Sequence, residues 1–115
     1  MTIIYKLVPS ELWSEAQARG AFDGSPVDHA DGYIHFSTAE QLRETARRHF
    51  SGVSPLLLAA VDAERLGPAL RWEPSRGGAL FPHLYAVLDL SCILRVWQVP
   101  LDPDGVPLIP EDVLP

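Results

Sequence analysis

Gly32-Tyr33-Ile34-His35-Phe36-Ser37-Thr38-Ala39-Glu40-Gln41-Leu42 contains the switch of period that decides this fold. From Tyr33 to Ser37 polar and apolar side chains alternate, the period of a strand. From Ala39 onward the apolar residues Ala39, Leu42, Ala46 and Phe50 recur at three and four residues, the stripe of a helix. Ser37-Thr38-Ala39-Glu40 stands at the junction and matches the capping box, in which a hydroxyl covers a free backbone N–H and the glutamate reaches back.

The flanks extend the pattern. Thr2 to Val8 is rich in β-branched residues and ends at Pro9, a strand. Ser10 is placed to cap a helix running to about Arg19, with Trp13 and Ala16 on one face and Gly20 as the stop. Gly24, Pro26, Asp28, Asp31 and Gly32 punctuate Phe22 to Gly32, which reads as a loop. Leu56 to Val61 is almost wholly apolar, as expected of a central strand covered on both faces, and Asp62 is placed to cap a short turn over Ala63 to Leu66. Leu70 to Glu73, Leu84 to Leu90 and Ile93 to Val99 read as further strands, the last two as a candidate hairpin. The order predicts an α+β domain over residues 1–99, with a mixed, mostly antiparallel sheet and two main helices. Residues 100–115 hold five of the eleven prolines, so they are expected as a tail packed on the domain or extending from it.

A chain of 115 residues suits one domain, and 47% hydrophobic residues supply a core that needs no metal or disulfide. The net charge of −6 argues against a general nucleic-acid binder. Arginine outnumbers lysine eight to one, and residues 41–95 hold seven arginines against five acids. That bias suits bidentate contacts to phosphate or carboxylate, although a solvated helix face explains Arg43, Arg47 and Arg48 equally well. The longest apolar stretch, Pro55 to Val61, is strand-sized, so no membrane partner is expected. The N-terminus lacks a secretory pattern, and the expected location is the cytoplasm. Cys92, the single cysteine, is expected as a buried, inert thiol.

Alternation also assembles a candidate site. Tyr33, His35 and Ser37 share one strand face, with Ile34 and Phe36 opposed. Arg71 and Glu73 share a face and Trp72 opposes them; His83 and Tyr85 share a face and Leu84 opposes them. Histidine, tyrosine, arginine and glutamate are unusual on a plain solvated sheet and suit a ligand-binding cleft. His35 precedes a helix N-terminus, where free N–H groups attract anions, and is the first candidate for catalysis. Glu73, beside Trp72, is the second, as an acid or base with a raised pKa; pairing with Arg71 or Arg76 is the other reading. Ser37 is a cap and ligand contact rather than a nucleophile. Phe81-Pro82 is a candidate cis bond. No Gly-x-Ser-x-Gly elbow is present. A zinc site would need His35, His83 and Glu73 to converge, and no metal is expected.

Tyr5-Lys6-Leu7, Trp13, Ala16, Gly20, Asp28, the run Asp31 to Thr38, Gln41, Phe50, Trp72-Glu73 and Phe81-Pro82-His83-Leu84-Tyr85 resemble the bacterial family known as domain of unknown function 952, over about Ile4 to Leu94. That resemblance implies a small cytoplasmic α+β protein and brings no established activity. More weakly, the chain resembles the ADP-ribosyltransferase fold, whose members bind NAD through a strand-borne histidine near a serine or threonine, a stacking tyrosine and a catalytic glutamate. On that resemblance His35 would hold a ribose hydroxyl, an arginine such as Arg71 would hold phosphate, Tyr85 would stack on a ring and Glu73 would stabilise a ribosyl cation. Phe36 stands where those enzymes carry glycine, and Glu73 precedes Tyr85. The leading expectation is therefore a small-molecule site for a nucleotide, with NAD as the candidate cofactor. A non-catalytic module using the same cleft for a metabolite or peptide end is the alternative. An interaction protein that docks a partner through its acidic, proline-rich tail is a third.

Overall fold

The structure, a computed structural model, describes residues 1–114, with Arg76 described by its backbone alone. The chain runs β1 (Ile3–Pro9), α1 (Ser10–Arg19), β2 (Ala21–Phe22), α2 (Pro26–Asp31), β3 (Ile34–His35), α3 (Ala39–His49), β4 (Leu56–Asp62), β5 (Leu70–Pro74), β6 (Leu80–Leu84), β7 (Leu88–Asp89) and β8 (Ile93–Val99). The α+β class is as expected, with α1 and α3 the two long helices. Strand pairing is antiparallel throughout and divides into three sheets, ordered β1-β4-β8, β2-β7 and β3-β6-β5.

The apolar run of β4 lies between β1 and β8, and both faces of this sheet are covered. Ile4, Val8, Ala59 and Val61 join Trp13, Ala16, Phe22, Ile34, Phe36, Leu84 and Cys92 in one core. Tyr5, Leu7, Leu58 and Ala60 join Leu42 and Ala46 of α3 in a second, which also receives Val99 and Val113. One strand thus supplies two cores through the alternation of its side chains. Cys92 is buried with a free thiol. Residues 100–114 lie against the body through buried Val113, the Gly52 N–H to Gly105 carbonyl bond of 2.7 Å and the Arg95–Asp112 ion pair of 2.8 Å. Among the described residues no helix is long and apolar enough to cross a membrane.

Several local expectations are corrected. Ser10 is the first residue of α1 rather than its cap, because Pro9 holds the N-cap position and the Ser10 N–H donates to the Pro55 carbonyl. Phe22 to Gly32 is not simply a loop: Phe22 pairs with Leu88, and Pro26 opens the short helix α2. The cap of α3 is Thr38, not Ser37; Gln41, rather than Glu40, completes the box by accepting from the Thr38 N–H at 3.0 Å. Asp62 does cap the turn that follows it, accepting from the Glu64 N–H.

The strand expected over Leu84 to Leu90 is divided: β6 ends at Leu84 and contains Pro82, and within the expected span Leu88–Asp89 form β7. No hairpin joins it to β8, since β7 pairs with β2 and β8 with β4. A proline in the middle strand of a sheet is unusual because it cannot donate to the ladder. Here the Pro82 carbonyl accepts from the Phe36 N–H at 3.0 Å, on the β3 side. The N–H and C=O of a strand residue point to the same side, so the missing donor would have answered Phe36. This explains why β3 is only two residues long: its ladder stops where Pro82 cannot return the bond. The cis peptide is Ser54-Pro55, not Phe81-Pro82.

Candidate functional site

The residues around His35 are set by a local helix signal. Ser25 precedes Pro26, whose fixed φ suits the first helical position. Asp28 then reaches back and accepts from the Ser25 N–H at 2.8 Å and the Ser25 hydroxyl at 3.0 Å, both on Oδ2. Gly32 ends α2 with φ at 86°, a left-handed conformation that costs glycine nothing, and turns the chain into β3. That turn carries His35 back over Asp28.

Asp28 is buried, and its carboxylate collects five polar groups from Ser25, His35 and Lys6. Its Oδ1 accepts from the His35 backbone N–H at 3.1 Å and faces His35 Nδ1 at 2.6 Å. Lys6, on β1, is buried too; its Nζ lies 3.2 Å from Asp28 Oδ2 and donates to the His35 carbonyl at 2.9 Å. Burial pushes the Asp28 carboxyl up, but the His35 hydrogen bond, the Lys6 charge and the backbone N–H groups of Ser25 and His35 outweigh it and hold the group well below its ordinary value. Burial likewise pushes the Lys6 ammonium down, against the pull of Asp28. On the outer side of the ring, His35 Nε2 lies 2.8 Å from Oδ2 of the exposed Asp31. Carboxylates only accept, so both of these bonds form together only when the ring carries two protons.

A second histidine faces the first. His35 pairs in register with His83, which pairs in register with Arg71, so the three residues form one row across β3, β6 and β5. Cross-strand partners share a face, as the alternation had implied. The His35 and His83 ring centroids are 5.6 Å apart, and Tyr33 stacks on His83 at 4.0 Å and lies tilted to His35 at 4.6 Å and to Tyr85 at 5.2 Å. Glu73 Oε1 lies 2.8 Å from His83 Nδ1 and accepts from the Tyr85 hydroxyl at 2.7 Å. These two bonds, Tyr85 first, hold the Glu73 carboxyl below its ordinary value, the reverse of the raised pKa expected beside Trp72. The bond to Glu73 in turn raises the Tyr85 phenol; Tyr33 is raised by burial and by the charges of Asp31, Glu73 and Asp28. The Arg71 guanidinium lies over the Tyr85 ring at 4.9 Å, and the alternative partner Arg76 has its side chain outside the described set.

A cavity of about 520 Å³ opens beside this face, between β1, α3 and β6. Of the seven candidates, His35, Ser37 and His83 line it, together with Lys6, Asp31, Ser75 and several aromatic rings; Tyr33, Arg71, Glu73 and Tyr85 stand next to it but off its wall. Ser37 is buried and exchanges a hydrogen bond with Thr45 at 2.9 Å. Trp72, expected to pack behind the site, is 42% exposed. β5 is the edge of its sheet, and neither core reaches that outer side. Among the described residues no group of histidine, cysteine, aspartate or glutamate is placed to hold a metal ion.

Lys6, Asp28 and Asp31 were not among the candidates drawn from the alternation. Two signals mark them: the chain's only lysine lies inside the apolar run Ile4 to Val8, and Ser25-Pro26-Val27-Asp28 is itself a helix start.

No curated protein matches the chain. It is similar to CC0527 from Caulobacter crescentus, whose X-ray structure is 50% identical, with 97% of this chain and 98% of that chain covered and a TM-score of 0.95. The solution NMR structure of the same protein is 53% identical over 93% and 92% of the two chains, with a TM-score of 0.83. Neither structure is described as an ADP-ribosyltransferase. The model of the family described as "Protein of unknown function (DUF952)" matches residues 7–96, and the chain belongs to that family.

Proposed function

We propose that the cleft beside His35 and His83 binds a nucleotide, NAD being the first candidate. The observation that carries this reading is the ring cluster of Tyr33, His35, His83 and Tyr85, pinned by carboxylates and placed at the edge of a cavity of about 520 Å³. Small-molecule sites fall in the range of roughly 300–1,000 Å³, with apolar walls and a few convergent polar groups. Tyr85 is 41% exposed beneath the Arg71 guanidinium, so a ring and a cation stand together beside the cleft, a pair suited to a base and its phosphate.

Binding without chemistry is favoured over transfer. Both ring nitrogens of His35 are engaged by aspartates, and Glu73 Oε1 already serves His83 and Tyr85. A glutamate that stabilised a ribosyl cation would have to give up these bonds. The test is a melting curve with rising NAD, with mass spectrometry of the same samples for nicotinamide. A saturable rise of several degrees without nicotinamide supports the binding module, because a ligand that binds only the native state stabilises it. Release of nicotinamide would show transfer or hydrolysis, and an unmoved melting point with NAD, AMP and ATP would remove the nucleotide reading.

A further inference from the structure

His83 is 3% exposed, and its polar atoms have unequal company. Nδ1 faces Glu73 Oε1 at 2.8 Å. Because a carboxylate only accepts, Nδ1 carries the proton, and in the neutral ring Nε2 is left with a lone pair. No described residue donates to that nitrogen. It is not sealed in either: among the described residues the buried side-chain nitrogen or oxygen without a partner is Trp97 Nε1. The ring borders the cavity. Asp31 lines the same cavity and adds a second acceptor, an exposed carboxylate that a ligand can draw away from His35.

We infer that His83 Nε2 is the ligand-contacting atom of the cleft, and that with Asp31 it forms a subsite for vicinal hydroxyls. Two acceptors bordering one cavity call for a ligand that presents two donors. Glu73 is the positioning residue: it fixes the His83 tautomer, and Tyr85 fixes Glu73 in turn through its 2.7 Å hydrogen bond. Tyr33, stacked on His83 at 4.0 Å, holds the plane of the ring. The hydroxyls can belong to the ribose of a nucleotide, which rests on the reading above, or to a free sugar, which does not.

The experiment uses the full chain labelled with 15N and follows the His83 ring nitrogens at neutral pH. AMP, its 2′,3′-dideoxy analogue and ribose 5-phosphate are the probes. The expected spectrum has the proton on Nδ1 and a bare Nε2, whose signal moves with AMP or ribose 5-phosphate and stays put with the dideoxy nucleotide. His83→Asn, whose amide can still donate to Glu73 in the place of Nδ1, is expected to lower affinity for the diol probes at least tenfold while the unliganded melting point stays within a few degrees. If ribose 5-phosphate moves Nε2 and AMP leaves the whole cleft unmoved, the subsite stands and the nucleotide reading falls. If AMP shifts other cleft residues and leaves Nε2 alone, nucleotide binding stands and this subsite is wrong. A proton found on Nε2, equal binding of the dideoxy analogue, an Nε2 that no probe moves or unchanged affinity in His83→Asn would each overturn it.

Discussion

Asp28 holds a buried carboxylate among a lysine, a histidine and two backbone N–H groups. It is buried against Lys6 and His35, and removing one member of a buried ion pair leaves an uncompensated charge. Asp28→Asn is expected to cost about 3 kcal/mol at pH 6, read from denaturant unfolding. The pH dependence follows from the sign of the shift. The folded carboxyl titrates below its ordinary value, so its stabilisation is fully present above the unfolded value and is lost as pH falls through the folded one. Below about pH 4 the wild type should therefore approach Asp28→Asn by up to ~1.4 kcal/mol per pH unit. A gap that stays constant from pH 6 to pH 2.5 would mean that Asp28 is not the ionised partner described here. At this scale the sequence revealed part of the side-chain cluster. Strand alternation placed His35, Glu73, His83 and Tyr85 together, because period 2 is a local property. The Lys6–Asp28 pair spans 22 residues and depends on α2 to hold Asp28 in place, and no local period reports that.

Among the elements, the junction of β3 and α3 separates two hydroxyls that the sequence could not tell apart. Thr38 accepts from the Gln41 N–H, while Ser37 is turned inward to Thr45. Thr38→Ala is therefore expected to lower stability by about 1 kcal/mol, with Thr38→Asp recovering most of it at neutral pH. Ser37→Asp, harmless if Ser37 were the cap, should be the more damaging change because it buries a charge. Thermal melts of these three variants settle the order, and a tolerated Ser37→Asp beside a damaging Thr38→Asp would reverse the assignment. The one-residue ambiguity is physical: Ser37-Thr38-Ala39-Glu40 and Thr38-Ala39-Glu40-Gln41 both satisfy the capping pattern, and only the bridge between Ser37 and Tyr5 commits Ser37 to a strand conformation. β6 was misplaced for a related reason. Pro82 argues against a central strand unless the neighbouring strand ends beside it, and that is a fact about β3.

For the molecule as a whole, the α+β class, the two long helices and the central place of β4 were legible, since each rests on composition and period within one segment. The division into three antiparallel sheets was not, because pairing partners such as β1 with β4 and β2 with β7 lie far apart in the chain. That division leaves the cleft between β1, α3 and β6, beside His35 and His83, where we propose that a nucleotide binds. The most direct test maps the backbone amides of the 15N-labelled chain during a titration with NAD. Saturable shifts are expected at Asp31, Tyr33, His35, Ser75, Phe81, His83 and Tyr85, with β8 and the outer face of α1 unmoved. Shifts confined to the far side of the β1-β4-β8 sheet, or none at millimolar NAD, would contradict it.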